Sequence, residues 1–172
     1  MSTEIKTKHL VIRPYEPKDF EHSVRIYGDE KITKYFDFGK ARSRQEIEVL
    51  VKKLSGVFKQ GEVFGLFSVF LKSTQEFVGH IDFLSVENQV SLAEIGVIFS
   101  EKFHGQGLAL EAMSAFINQQ VPRSNIQKIM VTAHPENHAS IKLIEKLGMT
   151  FEKELIRFGQ PRREYFLDFF QV

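Results

Sequence analysis

The stretch from Val97 to Ala109, VIFSEKFHGQGLA, limits most tightly how this chain can fold. An apolar run ends at Phe99, and a short polar stretch, Ser100 to Phe103, follows it. His104-Gly105-Gln106-Gly107-Leu108-Ala109 then opens LALEAMSAFINQQ, a sequence of good helix formers. A strand that enters a helix through two glycines brings backbone N–H groups and the positive end of the helix dipole to one point. That geometry cradles a phosphate. The same glycines also serve a plain tight turn, so the pair alone does not decide between the two roles.

Two familiar phosphate motifs do not fit. A Walker loop needs Gly-Lys-Ser/Thr after an earlier glycine, whereas Gly39-Lys40 is followed by Ala41. A dinucleotide fingerprint needs a small third residue where Leu110 stands. It also needs an acidic residue about 20 positions on, and Asn125 to Ile129 has none.

A chain of 172 residues is expected to form a single domain, 1–172, with a core that needs no staples. Cysteine is absent, which excludes disulfides, thiolate metal sites and thiol nucleophiles. The net charge of +1 steers the protein to neither nucleic acid nor membrane. No apolar run approaches the ~20 residues of a membrane helix, and the start, MSTEIKTKHL, has no signal core. A soluble cytoplasmic protein, monomer or homodimer, is expected. Seventeen phenylalanines and no tryptophan point to an aromatic core.

Taken in order, Glu4 to Arg13 reads as an opening strand stopped by Pro14, and Pro17 to Asp29 as a helix with Phe20, Val24 and Tyr27 on one face. Lys31 to Arg42 reads as an aromatic loop over the site. Ser43 and Glu46 form a capping-box pattern, and Ile47, Leu50, Val51, Leu54 and Phe58 follow on one helix face up to Gly61. Val63 to Leu71, nearly all apolar, predicts a strand buried on both faces. Glu76 to Leu84 and Ser91 to Phe99 continue a meander, the latter placing Leu92, Glu94, Gly96 and Ile98 on one face. A helix to about Gln120, a strand Lys128 to Ala133, a helix His138 to Leu147 capped by Asn137, and strands Met149 to Phe158 and Glu164 to Phe170 complete the chain. The last two strands are joined by a turn at Gly159-Gln160-Pro161. This order is α+β, or α/β in broader usage.

The order of elements, HGQGLA followed by Glu111-Ala112, and the later NHASIKLIEKLGM resemble the GNAT superfamily of acyl-CoA N-acyltransferases. KHLVIRP at the start and REYFLDFF at the end are similar to the branch holding the ribosomal-protein N-terminal alanine and serine acetyltransferases. The resemblance spans nearly the whole chain. It implies a mixed, mostly antiparallel central sheet, splayed mid-sheet and flanked by helices. It also implies acetyl-CoA as co-substrate, no metal, and an amine acceptor, with a protein N-terminus favoured. A small-molecule amine acceptor and a non-catalytic acyl-CoA-binding module are the alternatives. In the family's turn motif, Gly107 and Ala109 match, while His104 replaces the usual Gln or Arg. The turn from His104 through Gly105, Gln106, Gly107 and Leu108 to Ala109 would hold pyrophosphate through backbone N–H groups. Val97, Ile98 and Phe99 would pair with the pantetheine arm and supply an N–H to the thioester oxygen. Asn137 would bind the pantetheine amides as well as cap its helix.

An amine must lose a proton before it attacks a carbonyl, so a base near the junction is needed. Glu94 lies on the strand leading to the turn, with Gly96 offering space on the same face, and the family often places its base there. Many relatives carry a tyrosine that protonates the leaving thiolate where Ile144 stands here. Ser140, one helical turn earlier and expected on the same face, is the substitute. Pro135 separates His134 from His138, so that pair shares no helix face and no metal site is expected.

Overall fold

A computed structural model describes residues 4–55 and 63–169. Among them, eight strands form one sheet: β1 (Ile5–Lys6), β2 (Leu10–Pro14), β3 (Gly65–Leu71), β4 (Phe77–Val86), β5 (Gln89–Phe99), β6 (Lys128–Ala133), β7 (Thr150–Arg157) and β8 (Gln160–Asp168). Their spatial order is β1-β2-β3-β4-β5-β6-β8-β7, with β5 and β6 parallel and every other pair antiparallel. The helices are α1 (Phe20–Tyr27), α2 (Glu30–Thr33), α3 (Arg44–Ser55), α4 (Leu108–Gln120) and α5 (His138–Lys146). The expected positions of Phe58, Gly61 and Phe170 fall outside the described residues.

Most elements stand where periodicity places them, and the departures have local causes. The opening strand breaks into β1 and β2 because Thr7 closes a turn, its N–H donating to the Leu10 carbonyl and its hydroxyl oxygen accepting the Leu10 N–H. Glu111 on α4 clasps that turn, accepting from the Thr7 hydroxyl at 2.5 Å and the His9 N–H at 2.8 Å, with His9 Nδ1 2.7 Å from its second oxygen. The expected helix from Pro17 begins as a single 3-10 turn and ends at Tyr27. The Asp29 carboxylate then caps α2. The Ser43–Glu46 capping box forms in both directions.

The sheet separates two apolar clusters. Under α4 and α5, Phe116 is fully buried and meets Phe67 and Phe83 edge-on, at centroid distances of 4.7 and 5.7 Å. The opposite face, covered by α1 and α3, joins Ile26, Tyr27, Ile47 and Val51 to Leu66 and Ile98. This second face also carries a buried polar layer. Arg13 forks onto Asp19 at 2.8 Å per bond, Ser68 donates to Asp19, and Ser23 lies 2.8 Å from His80 Nε2. The Phe67 carbonyl, 3.3 Å from Nδ1, can only accept, so Nδ1 carries the His80 proton and Nε2 accepts from the Ser23 hydroxyl.

One break in the sheet positions everything that follows. β5 and β6 are in register only from Leu92↔Lys128 to Glu94↔Met130. Beyond that, β5 continues to Phe99 held by β4, while β6 continues to Ala133 held by β8. The two strands part and leave a wedge whose mouth is flanked by the glycine turn and the start of α5.

Candidate active site

The glycine turn caps α4 at one lip of the wedge. Gly105 and Gly107 have φ of 71° and 76°, a left-handed conformation that glycine adopts without strain, and a Cβ added at either would meet open space. Gly107 is the N-cap and offers no side chain, so the first-turn N–H groups of α4 remain for a ligand. His104 turns back onto β5, its Nε2 2.8 Å from the Phe99 carbonyl. A carbonyl only accepts, so this nitrogen donates and ties the turn to the last residue of β5. Gln106 likewise folds back, donating from its side chain to the Lys102 carbonyl. Ile98, Phe99 and Leu108 bury their side chains and Val97 and Ala109 half-bury theirs, which leaves the backbone as the part of this segment that a ligand meets.

At the other lip, Asn137 caps α5 by accepting the Ser140 N–H at 3.2 Å. Ser140 is half-buried. Ile144, expected to share its outlook, is instead 2 % exposed and packs in the main core. Ile144 sits about 40° round α5 from Ser140, on the flank that packs into the core. His134, at the end of β6, accepts the Glu136 N–H through Nδ1, and its ring lies 4.9 Å from Tyr35. Among the described residues, no three His, Cys, Asp or Glu side chains gather as a metal site.

Glu94 occupies the last paired position before the strands part. Both its oxygens are taken by Arg157 of β7, at 2.5 and 2.9 Å, in a bidentate pair. The space expected above Gly96 is filled: a Cβ there would stand 2.5 Å from Asp82 Oδ1. Asp82 faces Gly96 across the β4–β5 ladder, on the same side as Glu94. Burial and the neighbouring charges of Glu94 and Asp37 push its carboxyl up to about 7. The hydroxyl of Tyr27 on α1 is buried without a hydrogen-bond partner, within reach of the Asp82 and Asp37 charges.

The loop after α2 is tied to β8. Arg162 of β8 is 4 % exposed and donates to the carbonyls of Tyr35 and Asp37 at 2.6 and 2.7 Å, and Gln160 donates to that of Phe38. Arg42 pairs with Asp37 at 2.6 Å. Asp82, Arg157 and Arg162 were not among the residues the sequence singled out. Asp82 and His80 are polar residues two apart in a mainly apolar strand, and that signal could have found Asp82.

The GNAT acetyltransferase domain model matches residues 9–150. The chain belongs to the GNAT acetyltransferase family. It is 29 % identical over 148 residues to the uncharacterised N-acetyltransferase YnaD of Bacillus subtilis, covering 86 % of this chain and 83 % of that one. RimL, a ribosomal alpha-N-protein acetyltransferase solved with coenzyme A, superposes with a TM-score of 0.81 at 18 % identity, covering 96 % of this chain and 98 % of that one. The spermidine N-acetyltransferase of Vibrio cholerae, solved with CoA and spermine, gives 0.78 at 19 % identity, covering 94 and 96 %. These two share the GNAT fold with this chain.

Proposed function

We propose that this GNAT protein transfers the acetyl group of acetyl-CoA directly to a protein N-terminal α-amine. The observation that carries this reading is the wedge between β5 and β6, with the open N-terminus of α4 at its lip. The pyrophosphate would lie on the turn from His104 to Ala109, and the pantetheine arm along Val97 to Phe99, with its amides at Asn137. Glu94 serves the deprotonation of the amine, directly or through a neighbouring carboxylate, and Ser140 returns a proton to the departing thiolate.

Charge around Gly96 supports this acceptor class. Of the described carboxylates around Gly96, Glu94 is neutralised by Arg157 and Asp37 by Arg42, which leaves Asp82 without a cationic partner in hydrogen-bond contact. One free carboxylate suits one ammonium, whereas a polyamine needs several. An α-amine, with a pKa of about 7.7–8.0, also demands less of a base than a lysine at about 10.4.

The test is turnover of acetyl-CoA, followed by coenzyme A release and product mass, with N-terminal peptides, lysine peptides, polyamines and aminoglycosides. Peptides with free N-termini are expected to react fastest. Faster polyamine acetylation would favour a small-amine enzyme. Binding of acetyl-CoA without turnover on any amine would leave an acyl-CoA-binding module.

A further inference from the structure

We propose that Asp82, seated over Gly96 and diagonal to Glu94, is the group that takes the proton from the acceptor's ammonium, while the Glu94–Arg157 pair holds it in place. This rests on the acetyltransferase reading and assigns the proton within it.

The geometry divides the work between the two carboxylates. Glu94 has both oxygens committed to one guanidinium, at 2.5 and 2.9 Å. Accepting a proton there would break a bidentate charge-assisted pair. Asp82 has no such partner and lies two ladder positions further towards the parted end of β5: Leu84 faces Glu94, and Asp82 faces Gly96. Only a glycine opposite leaves room, since a side chain at Gly96 would collide with Oδ1 and Oδ2. The groups that face Asp82 are Glu94 from β5, Asp37 from the loop after α2, Arg157 from β7 and the unpartnered Tyr27 hydroxyl from α1. Burial, then Glu94 and Asp37, raise the proton affinity of Asp82, and Arg157 offsets part of that rise. A carboxyl near 7 is matched to an amine near 8.

The step balances. The ammonium gives one proton to the Asp82 carboxylate, and the freed nitrogen lone pair forms the bond to the thioester carbon. The tetrahedral species expels the thiolate as the C–S bond breaks. The second nitrogen proton passes to that sulfur, with Ser140 at the rim of its path, and Asp82 releases its proton to solvent.

Asp82→Asn keeps shape and removes the charge. The expected result is a fall in kcat/KM of roughly 10²–10⁴-fold, with loss of the pH limb near 7 and only the acceptor's own amine limb remaining. Acetyl-CoA affinity should be unchanged, and the melting temperature equal or higher. Glu94→Gln should keep the limb but move it to lower pH, because it removes a charge that raises Asp82. In the wild type, the Asp82 carboxyl carbon should titrate near 7 by NMR. An Asp82→Asn enzyme with wild-type rate and profile, or an Asp82 carboxyl titrating near 4, overturns the assignment. Absence of turnover in the wild type with every amine would instead overturn the acetyltransferase reading itself.

Discussion

Ile144 shows how a motif position and a side-chain direction can part company. It stands where many GNAT relatives hold a tyrosine, but it is 2 % exposed among Ile141, Met149 and Ala133 in the main core. Ile144→Tyr therefore adds volume and a hydroxyl to a packed interior. The expected cost is about 1–3 kcal/mol from overpacking alone, visible as a lowered melting temperature. In a Ser140→Ala background it should restore no activity, although the sequence pattern invites that rescue. Ser140→Ala by itself should lower kcat more than it weakens acetyl-CoA binding, since Asn137 still caps α5 through the backbone N–H of residue 140. An equal loss in both would make Ser140 a packing residue.

At the scale of elements, the glycine turn and α4 form one device. Gly107→Glu places a β-carbon at φ 76° and a negative charge where pyrophosphate is expected. Calorimetry should show a large loss of acetyl-CoA affinity in a protein that still folds, because nothing lies within 4 Å of the added atom. An unchanged affinity would move the cofactor elsewhere. This turn was legible in the sequence because strand, glycines and helix adjoin there, and periodicity is a local property. The partner of Glu94 was not legible, since Arg157 lies 63 residues away. The β7–β8 turn also falls earlier than its composition suggests. Gly159-Gln160-Pro161 reads as a turn, but the chain reverses at Phe158-Gly159, with φ of 56° and 71°. Two residues of positive φ match the twist of a tight hairpin. Pro161 is then accommodated inside β8 because β8 meets β6 only from Arg163 onward, so no ladder bond is lost on that side. That shift is what brings Arg162 into the strand and under the loop after α2.

For the whole molecule, a buried histidine and a half-buried aspartate pull stability in opposite directions with pH. His80 is held down to about 4 by burial, so the unfolded chain binds its proton first, and its contribution to stability is lost as pH falls from about 6.5 to about 4. Asp82 is raised to about 7, so the folded chain binds its proton first, and its contribution is lost as pH rises from about 4 to about 7. Each is worth on the order of 3 kcal/mol at about 1.4 kcal/mol per pKa unit, and over the shared window they offset each other in part. Urea melts of the wild type should vary less between pH 4 and 6.5 than those of Asp82→Asn. Asp82→Asn should unmask the slope of His80, gaining stability as pH rises, and Asp19, whose pairing with Arg13 and Ser68 keeps its carboxyl below the usual range, adds acid lability below that window. A flat profile in Asp82→Asn would mean that His80 titrates normally. The parting of β5 and β6 has a consequence at this same scale. Beyond Glu94 and Met130, each strand presents an edge, and bare edges invite another chain to pair. An extended amide-bearing arm lying in the wedge would be, in effect, the sheet's missing strand, brought in from the metabolite pool. Because such a ligand binds the folded state alone, a concentration of 100 times its Kd adds about 2.7 kcal/mol to folding. The resistance of this protein to heat and to self-association should then follow the acyl-CoA supply around it, which melting and light-scattering measurements across an acetyl-CoA titration would show.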